Sequence, residues 1–213
     1  MRLPQVTLII VDCQDISRAL KSLSHSMSNV EFGSVKLLSS LESSKIPNPI
    51  RLVPIPAVAS IQAYSKFMIQ ELHKYVDTDF ALCTQWDAWV LNADAWTDDF
   101  LKYDYIGAPW WFGDEKNVGN GGFSLRSKKF LQASSRLPIK NFHPEDLILC
   151  RTYKTLLLSA GCTFAPEELA SQFSLEGNAR YGSKWRNQFG FHDLEMTDIS
   201  NWSGYENIKL SME

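Results

Sequence analysis

From Val6 to Asn92 the chain alternates short, unbroken apolar runs with amphipathic stretches. Val6–Val11 (VTLIIV) has no polar break before Asp12, the pattern of a strand buried on both faces. Asp15 can cap the next segment, ISRALKSLSHSM, where Ile16, Ala19, Leu20 and Leu23 fall at helical spacing. Ser34–Leu38 predicts a second strand, 39–49 a Ser- and Pro-rich loop, and Arg51–Ile55 a third strand. In ASIQAYSKFMIQELHKYV, Ile61, Tyr64, Phe67, Met68, Leu72 and Tyr75 lie three and four apart, which predicts a helix. Phe80–Thr84 is a fourth strand, ending in the polar cluster Gln85, Asp87. Such alternation predicts an α/β fold: a mixed, mostly parallel central sheet with helices on both faces. Ligands of such sheets bind beyond the C-terminal ends of the strands.

The second half is less regular. Leu101–Trp111 is aromatic-rich, and Asn117–Gly122 (NVGNGG) is a Gly-rich turn entering the strand FSLRS. Ser127–Ser134 predicts a short helix and Pro144–Ala160 a single longer one. Cys162–Ala165 and Phe189–His192 predict edge strands. At 213 residues one domain is expected, complete or excised from a longer chain. Its 21 basic and 24 acidic residues give a net charge of −3 with no basic stripe, which disfavours nucleic acid as a partner. The four cysteines form no C-x-x-C pair and read as buried free thiols of a reducing compartment. The N-terminal apolar stretch is too short to span a membrane and has no cleavage site. A cytoplasmic monomer is the expectation.

Five groups of residues could carry chemistry. Gln85-Trp86-Asp87 ends a buried strand, where one carboxylate could hold Mg²⁺ or Mn²⁺, which take oxygen ligands. Taken alone, Asp87 reads first as a turn or cap residue. Asp77-Thr78-Asp79 has the letters of a D-x-D motif but precedes its strand, at the opposite end of the sheet, and reads as a solvated turn. Gly119-Asn120-Gly121-Gly122 permits close backbone approach to a ligand, or is a plain tight turn. Glu145 and Asp146 either complement a helix start or supply a general base. His192 is either structural or a metal ligand. Of the seven Trp, one or two are expected to touch ligand and the rest to pack in the core.

The runs TDFALCTQWDAWVLN, FLKYDYIGAPWW, VGNGGFSLRSKKFL and PEDLILCR, in that order, resemble GT-A-type glycosyltransferases, a virus-encoded member among them. The resemblance covers about residues 50–195. It implies a nucleotide-sugar donor, a glycan acceptor and a divalent cation. Asp87 and His192 match the metal ligands, with Gln85 standing where the motif has its first Asp. Val11, Asp12 and Cys13 match the strand end that meets the nucleoside. Tyr64 and Lys66 lie on the helix that borders ribose and phosphate. Gly121 and Gly122 match the turn beside the donor sugar, and Glu145 and Asp146 the acidic pair near the acceptor. On this reading about residues 1–90 bind nucleotide and about 91–213 bind acceptor, with UDP the expected nucleotide.

Two other classes compete. A sugar-binding module without catalysis would suit the Trp content. A sugar nucleotidyltransferase would share the sheet and the metal, but the turn DCQDIS after the first strand has neither Gly nor base to grip a triphosphate.

Overall fold

A computed structural model describes residues 1–114, 116–176 and 186–193. Its centre is β1 (Arg2–Val11), flanked in parallel by β2 (Glu31–Ser39) and β4 (Phe80–Thr84), with β3 (Arg51–Pro54) parallel to β2 at the edge. Beyond β4 the sheet turns antiparallel through β7 (Ser124–Ser127) and β6 (Tyr105–Gly107), giving the order β3-β2-β1-β4-β7-β6. The mixed, mostly parallel sheet predicted above is the one observed.

The continuous apolar run of β1 has its cause in two-sided burial. Leu8 and Ile10 pack with Ala19 and Leu23 of α1 (Ile16–Met27), while Ile9 and Val11 pack with Phe67 and Met68 of α2 (Ile61–Gln70) and Leu131 of α3 (Lys128–Ser134). Helices therefore cover both faces. Asp15 caps α1 by accepting from the N–H groups of Ser17 and Arg18, as its spacing predicts. The amphipathic pattern after Ser60 continues past α2 as a 3-10 turn, Leu72–Tyr75, whose Leu72 is fully buried.

Two expectations need correction. Pro144–Ala160 is not one helix. It divides into α4 (Glu145–Leu147), a π turn (Ile148–Thr152) and α5 (Lys154–Ser159), with the break at Tyr153. The wider π turn accompanies the burial of Ile148, Leu149 and Cys150 in a cluster with Tyr105, Trp110 and Phe130. Cys162–Ala165 is not a strand either. Phe164 makes an isolated bridge to Tyr105, and Asp104 binds Thr163 through its carboxylate.

A second, small sheet has the order β5-β9-β8, from Trp89–Val90, Gly190–His192 and Ser174–Glu176. β8 follows directly on α6 (Glu167–Phe173), whose Phe173 packs edge-on to Phe100 beneath it. Two- and three-residue strands carry no periodicity, so only β9 is legible in advance. The chain over β5 and β9 pairs antiparallel, Trp89 with Phe191 and Val90 with Gly190. Phe123 lies over Gly190, where a Cβ would sit 2.3 Å from its ring. No helix among the described residues is long and apolar enough to cross a membrane.

Candidate active site

The parallel strands β1 and β4 end together, at Asp12 and Gln85, and the antiparallel direction of β7 brings the turn before it to the same edge. Two adjoining cavities lie there. One, about 290 Å³, includes Val11, Asp12, Cys13, Tyr64 and Trp86 in its lining. The other, about 270 Å³, includes Gly121, Gly122, Glu145, Asp146 and His192. Ile61, Tyr64 and Gln85 line both, so the two form one cleft with these residues at its waist.

At the waist Gln85 spans the cleft. Its Nε2 donates to the Tyr64 hydroxyl at 3.1 Å, and its Oε1 lies 3.1 Å from His192 Nε2. The same imidazole nitrogen is 3.8 Å from Asp87 Oδ1, and the other, Nδ1, is 3.4 Å from Glu176 Oε1. One carboxylate, one imidazole and one amide oxygen thus converge from positions about a hundred residues apart. Burial opposes charge on His192, but the Glu176 hydrogen bond and the Glu176 and Asp87 charges outweigh it and push the imidazole up to about 9. Among the described residues no group of three or more His, Cys, Asp or Glu side chains is placed to hold a metal ion by itself. The donor set fits an open oxygen-and-nitrogen site of the Mg²⁺ or Mn²⁺ type, completed by a ligand's own oxygens. Gly122 makes room for it: a Cβ there would stand 2.1 Å from His192 Nε2.

The loop carrying Asp87 is anchored from below. Ser22 of α1 donates to the carbonyls of Gln85 and Ala88 at 2.9 and 2.5 Å, Thr84 to Ala88 at 2.6 Å, and Ser26 accepts from Val90 N–H at 3.1 Å. The two serines stand four apart, on one face of α1. That spacing is visible in LKSLSHSM, although its purpose is not.

On the far side the Gly-rich turn is also braced. Asn120 Oδ1 accepts from Gly122 N–H at 3.1 Å, and Tyr105 donates to the carbonyls of Gly119 and Asn120. Beneath it Arg126, fully buried, binds Glu145 through Nη2 at 2.8 Å and Nη1 at 3.4 Å, and Nη2 also reaches the Gly121 carbonyl at 3.2 Å. Burial pushes the Glu145 carboxyl up, with Arg126 opposing. Glu145 is thereby committed to a buried ion pair. Asp146 accepts from the N–H groups of Gly121 at 3.3 Å and Leu147 at 2.8 Å, and lines the cleft half-buried.

Of the residues to which the resemblance gives a role in the site, Lys66 alone is not brought to the cleft or its metal-type donors. It is exposed on α2, its amine 5.9 Å from the Phe142 ring, because the cleft-facing positions of that helix fall to Ile61, Tyr64 and Ser65. Asp77 sits at the opposite end of the sheet, bound to Lys36 Nζ at 2.7 Å, with Ser34 and Arg51 beside it, and the Lys36 hydrogen bond holds its carboxyl low. Of the tryptophans, Trp86 lines the cleft under the Arg18 guanidinium, Trp89 and Trp110 are buried, Trp96 packs on Phe100 and Phe189, and Trp111 is exposed. Sequence reasoning missed Arg126, which stands in the run FSLRS without being singled out, and Glu176 and His143, which stand in no run that was.

Three solved structures share this architecture. The galactosyltransferase LgtC, in complex with donor and acceptor sugar analogs, is 14% identical, with 96% of this chain and 94% of that chain covered and a TM-score of 0.54. A glycosyltransferase involved in glycosylation of the major capsid of PBCV-1 is 13% identical over 96% and 98% of the two chains, with a TM-score of 0.51. The mannosyltransferase PcManGT from Pyrobaculum calidifontis, in complex with GDP-Man and Mn²⁺, is 13% identical over 78% of this chain and 57% of that one, with a TM-score of 0.50. At such identities the likeness establishes the fold, which is of the GT-A type. No curated protein matches by sequence. A family model does match, over residues 49–192, the span that runs from β3 through the waist of the cleft to His192, and the chain belongs to that family, DUF5672, described as proteins of unknown function.

Proposed function

We propose that the chain is a metal-dependent glycosyltransferase that moves a hexose-type sugar from a nucleotide-sugar donor, a UDP-sugar first, to a glycan acceptor. The observation that carries this reading is the waist of the cleft. Asp87, His192 and the Gln85 amide oxygen meet between a cavity lined by Val11, Cys13 and Trp86, which would take the nucleoside, and one lined by Gly121, Gly122 and Asp146, which would take the sugar. The complexes of LgtC with sugar analogs and of PcManGT with GDP-Man and Mn²⁺ support it.

In this reading Val11, Asp12, Cys13 and Trp86 hold the nucleoside, with Tyr64 at the boundary with the diphosphate. Asp87 and His192 would hold Mn²⁺ or Mg²⁺, which offsets negative charge on the departing diphosphate. Glu176 fixes the ring of His192 through Nδ1, the usual second partner of a ligating imidazole. Gly121 and Gly122 border the sugar without side chains. In the reaction the bond from the sugar C1 to the phosphate oxygen breaks and one to the acceptor oxygen forms, and the acceptor hydroxyl loses its proton. Of the acidic pair, Asp146 is the one placed to take that proton in an inverting reaction, since Glu145 is held by Arg126. In a retaining reaction Asp146 only positions the acceptor. The anomeric configuration of the product, read by NMR, decides between them.

Asp87→Asn keeps the shape of the side chain and removes its charge. Mn²⁺-stimulated turnover of the donor is expected to fall by at least about 100-fold, the usual scale for losing a residue that stabilises developing charge. Unchanged turnover in this variant overturns the proposal. Calorimetry separates a sugar-binding module, which would bind glycan with no dependence on UDP or Mn²⁺.

A further inference from the structure

His143 takes no part in the scheme above, yet it lines the sugar-side cavity together with Asp146 and Gly121. Its Nδ1 is 3.1 Å from the hydroxyl of Ser65. Ser65 lies on α2 among Phe67, Met68 and Ile69, and is itself 1% exposed. A hydroxyl in such surroundings is costly without a hydrogen bond, and its partner here is the imidazole. With Nδ1 engaged, Nε2 is the nitrogen presented to a ligand.

The charges at this end of the cleft are unlike those at the waist. Glu145 is paired with Arg126, while the Asp146 carboxylate meets two backbone N–H groups and, among the described residues, no cation. A carboxylate here repels a diphosphate or an acidic sugar and accepts hydrogen bonds from hydroxyls. An imidazole nitrogen can donate to or accept from a hydroxyl as its tautomer requires.

We propose that His143, set by Ser65, is a direct contact for the transferring sugar, and that with Asp146 it selects a neutral, hydroxyl-rich ring over a uronate. This rests on the glycosyltransferase reading and adds a substrate class to it. Ser65 is a positioning residue, acting through the imidazole.

The test is titration calorimetry with Mn²⁺ on the wild type and on His143→Ala, His143→Gln and Ser65→Ala. The ligands are UDP, GDP, UDP-glucose, UDP-galactose, UDP-glucuronate and GDP-mannose. The wild type is expected to bind a neutral nucleotide sugar at least about tenfold more tightly than UDP-glucuronate, since like charges brought together are strongly disfavoured. In His143→Ala that neutral ligand weakens about tenfold, a loss of about 1.4 kcal/mol, while the free nucleoside diphosphate binds as before. Ser65→Ala shifts in the same direction by less, and His143→Gln, which keeps a donor and an acceptor, recovers part of the loss. Unchanged sugar-nucleotide binding in His143→Ala overturns the inference, as does equal weakening of diphosphate and sugar nucleotide. A wild type that binds neither UDP nor GDP overturns the glycosyltransferase reading and this inference with it.

Discussion

Gly122 shows how closely a single backbone position governs the candidate metal donors. A methyl group there would overlap His192 Nε2 at 2.1 Å, and the imidazole, a side-chain end, can swing aside where backbone could not. Gly122→Ala is therefore expected to melt within a few degrees of the wild type while losing at least about tenfold in Mn²⁺-dependent donor turnover. Thermal melting and turnover measured on the same sample check both halves. The Arg126–Glu145 pair behaves differently. It is buried on both sides, and removing one partner of such a pair leaves an uncompensated charge, typically at a cost of about 3–5 kcal/mol. A sequence shows both residues as ordinary charged letters. Asp87 could be read at its strand end because a carboxylate is conspicuous there. Glu176 could not, because its meaning comes only from its register opposite His192 on a neighbouring strand.

At the scale of elements, the local signals were good where the local chain decides the outcome. α1 runs from Ile16 to Met27 under its Asp15 cap, and β4 occupies Phe80–Thr84, both as spacing and composition require. The segment after Pro144 departs from its pattern because a tertiary cluster around Tyr105 and Trp110 claims Ile148, Leu149 and Cys150. Another long-range tie joins β6 to the segment at Thr163. Asp104 accepts from Ser127 Oγ at 2.6 Å, Lys129 Nζ at 3.0 Å and Thr163 N–H at 2.9 Å. Burial alone would raise the Asp104 carboxyl, but these hydrogen bonds and the Lys129 charge hold it below its ordinary value of 3.8. A carboxyl lowered by folding adds stability that is fully present above the unfolded value and is lost as pH falls through the folded one. Asp104→Asn is thus expected to cost about 1–3 kcal/mol at pH 7 and to flatten the loss of stability below about pH 4. Urea denaturation at neutral and acid pH measures both, and an unaltered acid slope contradicts the assignment.

For the whole molecule, strand–helix alternation sufficed to foresee a mostly parallel sheet, and the cleft lies at the edge that such a sheet offers. Of the small sheet β5-β9-β8 only β9 was open to such reading, since β5 and β8 are two and three residues long. Both waist donors supplied by this region, Asp87 beside β5 and His192 at the end of β9, depend on it. If the cleft takes a nucleotide sugar, the native state alone binds it and unfolding must release it. The true donor with Mn²⁺, at about 100 times its Kd, is expected to raise Tm by about 5–10 °C for a chain of this length, and poor donors by much less. A panel of nucleotide sugars read by thermal shift makes the comparison, and a flat response across all of them contradicts the assignment.

The antiparallel pairing of β5 with β9 also gives the chain an order of completion. Every strand of the larger sheet has left the ribosome once Ser127 is out, yet the waist of the cleft lacks its imidazole until His192 emerges. During synthesis the scaffold can close long before the site does. A chain stopped between those two points would keep its framework strands and lack a waist donor.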